Sequence, residues 1–220
     1  MALLTDIDFG TTEGMHPMMG ECPSAFKASK TKDPDTPNYS EAVYGEYSTE
    51  FQQAMIDEIT ALERHKTWSV IKNSQIPEGA NVLPGTWAFR IKRLPDGTLR
   101  KHKARFCARG DKQIEGVDYF DKYAPVVQWS TVRMMLCIAA SEGLKTRQVD
   151  FSNAFVQATL TEEVFKTLPQ GFLADTDEPD VVLKLHKPLY GLVQAPMHWG
   201  NHLKGALERG VFKASVNDPC

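Results

Sequence analysis

The chain has 220 residues, 42% hydrophobic and 10% aromatic, enough to bury one sizeable core or a core with an added lobe. Its longest unbroken apolar run, Met134 to Ala140, is far shorter than the roughly 20 residues of a membrane span, and the acidic start with Asp6 and Asp8 does not read as a signal peptide, so a cytoplasmic or nuclear protein is expected. The net charge of −3 conceals an asymmetry, because residues 90–112 hold nine Lys/Arg against Asp96 and Asp111.

Residues 1–48 carry eight acids and three lysines, Pro34 and Pro37 around Asp35, and no sustained period, which predicts a flexible linker. From Thr49 the pattern changes. Thr49 and Gln52 have capping-box spacing, and Phe51, Met55, Ile59 and Leu62 recur at helical intervals up to Lys66, predicting an amphipathic helix. Val82 to Arg93 then alternates, with Trp87, Phe89 and Ile91 on one face and Arg90 and Lys92 on the other. Leu94-Pro95-Asp96-Gly97 supplies a turn, and Thr98 to Ala108 resumes the alternation with Lys101, Lys103 and Arg105 together. A basic β-hairpin follows from this, and local cationic charge points to a polyanionic partner, a solvated charged hairpin being the alternative.

Beyond a loop with Asp118 and Asp121, Ser130 or Thr131 can cap an apolar helix ending near Gly143, whose composition predicts burial. Thr146 to Phe151 reads as a short strand, Asn153 to Gln157 as a helical turn, and Val164 to Thr167 and Val181 to Leu185 as further strands. The last helix starts at Pro196 and stops at Gly210. Mixed strands and helices without βαβ regularity make the fold class α+β. Cys22, Cys107, Cys137 and Cys220 are far apart with no C-x-x-C, so reduced thiols are expected rather than disulfides or a zinc ribbon.

Asp150 lies near the end of the expected strand just before a turn, where a carboxylate can hold Mg²⁺ against phosphate oxygens, although a lone Asp there is more often a helix N-cap. His198 and His202 are four apart on a helix but lack an intervening Glu, which predicts surface histidines rather than a zinc site.

From Pro37 onward the chain resembles the reverse transcriptase domain of copia-type long-terminal-repeat retrotransposons. The resemblance is carried in order by Leu62 to Trp68, Thr86 to Arg90, Lys103-Ala104-Arg105, Gly116 to Tyr119, Tyr123 to Val126, Gln148-Val149-Asp150, Ala154-Phe155, Leu189 to Leu192 and Gln194-Ala195-Pro196. It implies a right-hand polymerase piece with fingers over about 49–145 and a partial palm over about 146–220, incomplete at the C-terminus. By that resemblance Asp150 is the first catalytic Asp and a metal ligand, with the Phe151 carbonyl beside it. Lys103 and Arg105 grip the triphosphate, Phe155 gates against a ribose 2′-OH, and Gln194 contacts the nucleotide. The bland readings are surface cations, a core aromatic and a helix-entry polar residue. The resemblance also implies Mg²⁺ or Mn²⁺ as cofactor, RNA or DNA primer-template and deoxynucleotides as partners, and a structural loop around Asp118 and Asp121.

Two departures stand out, since Val193 and Met197 occupy places where the family carries basic residues. The aromatic-x-Asp-Asp hairpin that completes the metal site would follow a few dozen residues after Asp218. The expectation is therefore an RNA-directed DNA polymerase fragment, inactive alone, with an unpaired palm edge and a loose C-terminal half. A non-catalytic nucleic-acid-binding remnant is the alternative.

Overall fold

Four apolar side chains at helical spacing begin the core. Helix α2, Ser48–Arg64, buries Phe51, Met55, Ile59 and Leu62, the face read from the sequence, while the expected Thr49–Gln52 capping box does not form because Tyr47 is the N-cap. The helix closes with Lys66 in the left-handed region, φ 52°, so that the Lys66 and Thr67 amides reach back to the Glu63 and Leu62 carbonyls. The computed structural model describes residues 33–172, 180–210, 212–216 and 218.

Of the linker expected over 1–48, residues 1–32 lie outside the described residues, and the remainder corrects that reading. Tyr39–Tyr44 form a helix, α1, with a reciprocal Asn38–Glu41 capping box. Asp35 fastens this segment to the hairpin, its carbonyl accepting from the Ile91 amide and its carboxylate pairing with Arg93 at 3.0 Å.

Two sheets follow. One has the order β1-β6-β5-β2, from Trp68–Lys72 (β1), Val82–Leu83 (β2), Val164–Lys166 (β5) and Val181–Leu185 (β6), with β2 and β5 parallel and the other pairs antiparallel. The sequence alone marked β5 and β6 but not β1. The other is the hairpin of β3, Gly85–Arg93, and β4, Leu99–Ala108. Trp87, Phe89, Ile91, Ala104 and Phe106 are buried, and Phe51 meets Phe89 edge-on at 5.3 Å. Alternation on both strands thus buries these side chains on the face toward α2 and leaves Arg90, Lys92, Lys101, Lys103 and Arg105 on the other, with Leu99 exposed at the turn end. The last helix, α4, is Ala195–Arg209 with Gly210 as C-cap.

Two expectations fail between these parts. Helix α3, Trp129–Ser141, forms, but it buries no residue and has no side-chain cap from Ser130 or Thr131. Residues 146–151 form no strand and are exposed. The α3 sequence is apolar yet stays exposed, whereas residues 146–151 hold only Val149 and Phe151 as apolar residues and touch α4 through Phe151 and Trp199. The C-terminal half is nevertheless not uniformly loose, since β5, β6, Leu189, Leu192 and Ala195 belong to the core. The described residues form a mixed helix and sheet fold, consistent with α+β. None of their helices is long and apolar enough to cross a membrane.

Candidate nucleotide and nucleic-acid interface

The hairpin register sets Ala88 opposite Arg105, Arg90 opposite Lys103 and Lys92 opposite Lys101. Five cations therefore share one face, with like charges directly across the strands, an arrangement that destabilises a sheet in isolation. Packing of the opposite face holds the register, so the cations cannot rotate away. The Lys103 ammonium is held below the ordinary lysine range, first by burial and then by Arg105, Lys92 and Lys101. Asp33 is a counter-charge to Arg90, and the counter-charge near Lys103 and Arg105 is Glu58 of α2. Burial raises its own carboxyl above the usual range, against the Phe106 backbone, Lys103 and Arg105, and its Oε1 is buried without a hydrogen-bond partner. Two nearby carboxyls do not balance five cations, so the face is suited to phosphate oxygens.

The segment after β6 docks on the end of β4. Leu189 and Leu192 are buried, the Tyr190 carbonyl accepts from the Ala108 amide at 2.8 Å, and Gly191 has φ +90° with its α-carbon against the Ala108 carbonyl. A Cβ on Gly191 would collide with that oxygen, and one on Gly110 would collide with the Gly191 carbonyl, so close backbone approach requires both glycines. This docking brings Tyr190 under Arg105, whose guanidinium carbon lies 4.8 Å from the ring centroid. Phe155 meets the same ring edge-on at 4.9 Å. Arg105 and Phe155, fifty residues apart in sequence, are thus joined through a side chain to which the sequence reading assigned no role. An aromatic between a core leucine and an obligatory glycine was the available signal.

Gln194 is fully buried. Its Oε1 accepts from Gln113 Nε2 and its Nε2 donates to the Asp118 carbonyl, both at 3.0 Å. Gln113 Oε1 in turn accepts from the Val193 amide at 2.8 Å. Asp118, also buried, accepts from Asn81 Nδ2 at 2.8 Å and from the Ile114 amide at 2.7 Å, so its carboxylate organises a loop. Asp121 caps a neighbouring turn through the amides of Lys122 and Tyr123.

Asp150 stands exposed on irregular backbone. Phe151 packs edge-on against Trp199 at 5.2 Å, Asn153 takes φ 50°, and Gln157 Nε2 donates to the Ser152 carbonyl at 2.8 Å. Among the described residues no group of three or more His, Cys, Asp or Glu is placed to hold a metal ion. Asp150 and a backbone carbonyl do not make up the donor set that Mg²⁺ demands, so the residues present do not fit a complete metal centre. His198 corrects the surface reading: it is buried and bonded to Glu162 Oε2 at 2.8 Å, whereas His202 is exposed and stacks on Trp199. Neither is set as a zinc ligand. Cys107 and Cys137 are free thiols.

The chain thus presents a cationic hairpin, an aromatic cluster beside it and an exposed Asp150 on irregular backbone. Residues 65–218 match the family described as reverse transcriptase (RNA-dependent DNA polymerase), and the chain belongs to that family. It is of the copia type. It is 38% identical over 168 residues to the retrovirus-related Pol polyprotein from transposon RE2 of Arabidopsis thaliana, covering 76% of this chain and 11% of that protein. It is 32% identical over 171 residues to the Pol polyprotein from transposon TNT 1-94 of Nicotiana tabacum, covering 78% and 13% respectively. With the Ty1-ER2 Gag-Pol polyprotein of Saccharomyces cerevisiae the identity is 32% over 197 residues, covering 84% and 10%. The chain thus spans about a tenth of the length of the curated relatives it matches. No solved structure matches it.

Proposed function

We propose that this chain is the part of a retrotransposon reverse transcriptase that grips primer-template and incoming deoxynucleotide, and that it binds these polyanions without polymerising by itself. The observation that carries the reading is the five-cation ladder, pinned by a buried apolar face and outnumbering the nearby described carboxylates of Glu58 and Asp33. In this reading α2 and the β3–β4 hairpin are fingers, and the segment from about residue 146 begins the palm. Lys103 and Arg105 meet the triphosphate, a task suited to an ammonium and a guanidinium fork. Phe155 lies at the sugar, where its bulk disfavours a 2′-OH. Gln194 serves the site through the two loops it ties together. Reverse transcriptases use divalent metal ions, and Asp150 with the Phe151 carbonyl would contribute to that centre. Its remaining carboxylates are not among the described residues, and nucleotidyl transfer depends on all of them for positioning and charge stabilisation.

The test has two arms. Binding of an RNA–DNA primer-template should weaken steeply as salt rises, with charge reversal at Arg90 or Lys101 lowering the log–log salt slope by about one unit for each phosphate no longer neutralised. Primer extension with Mg²⁺ or Mn²⁺ should stay at background. Binding indifferent to salt would overturn the polyanion reading. Template-dependent synthesis would overturn the claim that the chain alone is inactive.

A further inference from the structure

We infer that Tyr190 is a positioning residue for this nucleotide subsite, its ring seating the Arg105 guanidinium and fixing the Phe155 ring at its edge. One side chain then sets both the triphosphate grip and the sugar gate. The inference deepens the nucleotide reading above and rests on it.

Three observations support it. The ring sits 4.8 Å below the guanidinium carbon and 4.9 Å from the Phe155 centroid, with the two aromatic planes at 65°. Its backbone cannot shift independently, because the Tyr190 carbonyl is bonded to Ala108, Gly191 abuts the Ala108 carbonyl, and Leu189 and Leu192 are locked in the core. None of the described ion pairs involves Arg105, and Glu58 acts on it only as a nearby charge, so the ring is the direct described contact of its guanidinium. The difference is chemical. A bidentate carboxylate would neutralise the guanidinium and occupy its donors, whereas an aromatic face attracts the cation electrostatically and leaves its N–H edge uncommitted to an acceptor. A guanidinium restrained before the ligand arrives loses less rotamer entropy on binding phosphate. No described hydrogen bond uses the Tyr190 hydroxyl, so the ring alone performs this role.

The experiment is equilibrium binding of a fluorescent deoxynucleoside triphosphate, and of inorganic tripolyphosphate, to the full chain at low ionic strength. Arg105→Ala should weaken both by about tenfold, the loss of one charge-assisted hydrogen-bonded pair. Tyr190→Leu and Tyr190→Met, two ringless variants chosen so that a folding defect in one leaves the other, should weaken both by about three- to tenfold. For tripolyphosphate, which has no sugar for Phe155 to meet, combining either with Arg105→Ala should cost no more than Arg105→Ala alone, and Tyr190→Phe should rescue binding of both ligands. If Arg105→Ala loses affinity while the ringless variants do not, if the tripolyphosphate losses add, or if Tyr190→Phe fails to rescue, the positioning role is wrong and the nucleotide reading stands. If the wild-type chain binds neither ligand, the nucleotide reading falls and takes this inference with it.

Discussion

Lys166 carries an ammonium into the sheet beside Val164 and Phe165, with no exposed surface and no hydrogen-bond acceptor for its Nζ. The nitrogen lies 3.4 Å from the Phe106 ring centroid, in space that only a glycine at position 85 leaves open. Burial pulls its pKa down to about 7, with Cys107 acting weakly the other way. The folded state therefore releases a proton that the unfolded state keeps between about pH 7 and 10.5, and stability rises with pH across that window. Lys166→Met removes the penalty. It should stabilise the chain by on the order of 4 kcal/mol at pH 6, with the gap to wild type closing toward pH 10, as read by urea unfolding at several pH values. A pH-independent gap would mean that the amine is not buried.

Lys66 is a second residue at odds with its place. It occupies the left-handed position that closes α2, where a glycine avoids the Cβ clash. Lys66→Gly should raise stability by about 0.5–1 kcal/mol, the relief of left-handed strain less the added unfolded-state entropy, measurable by thermal or chemical unfolding.

At the scale of elements, α3 separates helix formation from helix burial. Its thirteen residues carry one charge, Arg133, and expose Trp129, Met134, Met135 and Leu136 to between 55% and 75%. A helix apolar all round is a helix meant to be covered. Among the described residues, the Gln128 amide at its N-cap donates to Asp218 at 3.1 Å. Met135→Lys with Ile138→Lys should leave the unfolding free energy within about 0.5 kcal/mol while reducing self-association in sedimentation velocity. A loss of several kcal/mol would show that α3 is packed.

Across the whole molecule, order should follow burial rather than chain position. Amide exchange should be slow in α2, the hairpin, β6 and residues 189–195, and fast through residues 120–151. Equal protection of both groups would contradict the fold described. What was legible in the sequence was local: the buried stripe of α2, the hairpin with its basic face, β6 and the Pro-to-Gly extent of α4, because period 3.6, period 2 and turn chemistry act within a dozen residues. The family was legible too, through short segments in fixed order, and with it the residue types suited to phosphate. Contacts across the chain were not. That Lys166 would face inward depended on the parallel pairing of β2 with β5 and the hairpin laid over it. That Gln194 would turn into the core depended on Gln113 and Asp118, some eighty residues away. The apolar helix at 129–141 read as buried because hydrophobicity reports the need for burial, whereas only the tertiary structure decides whether a partner surface is there to supply it.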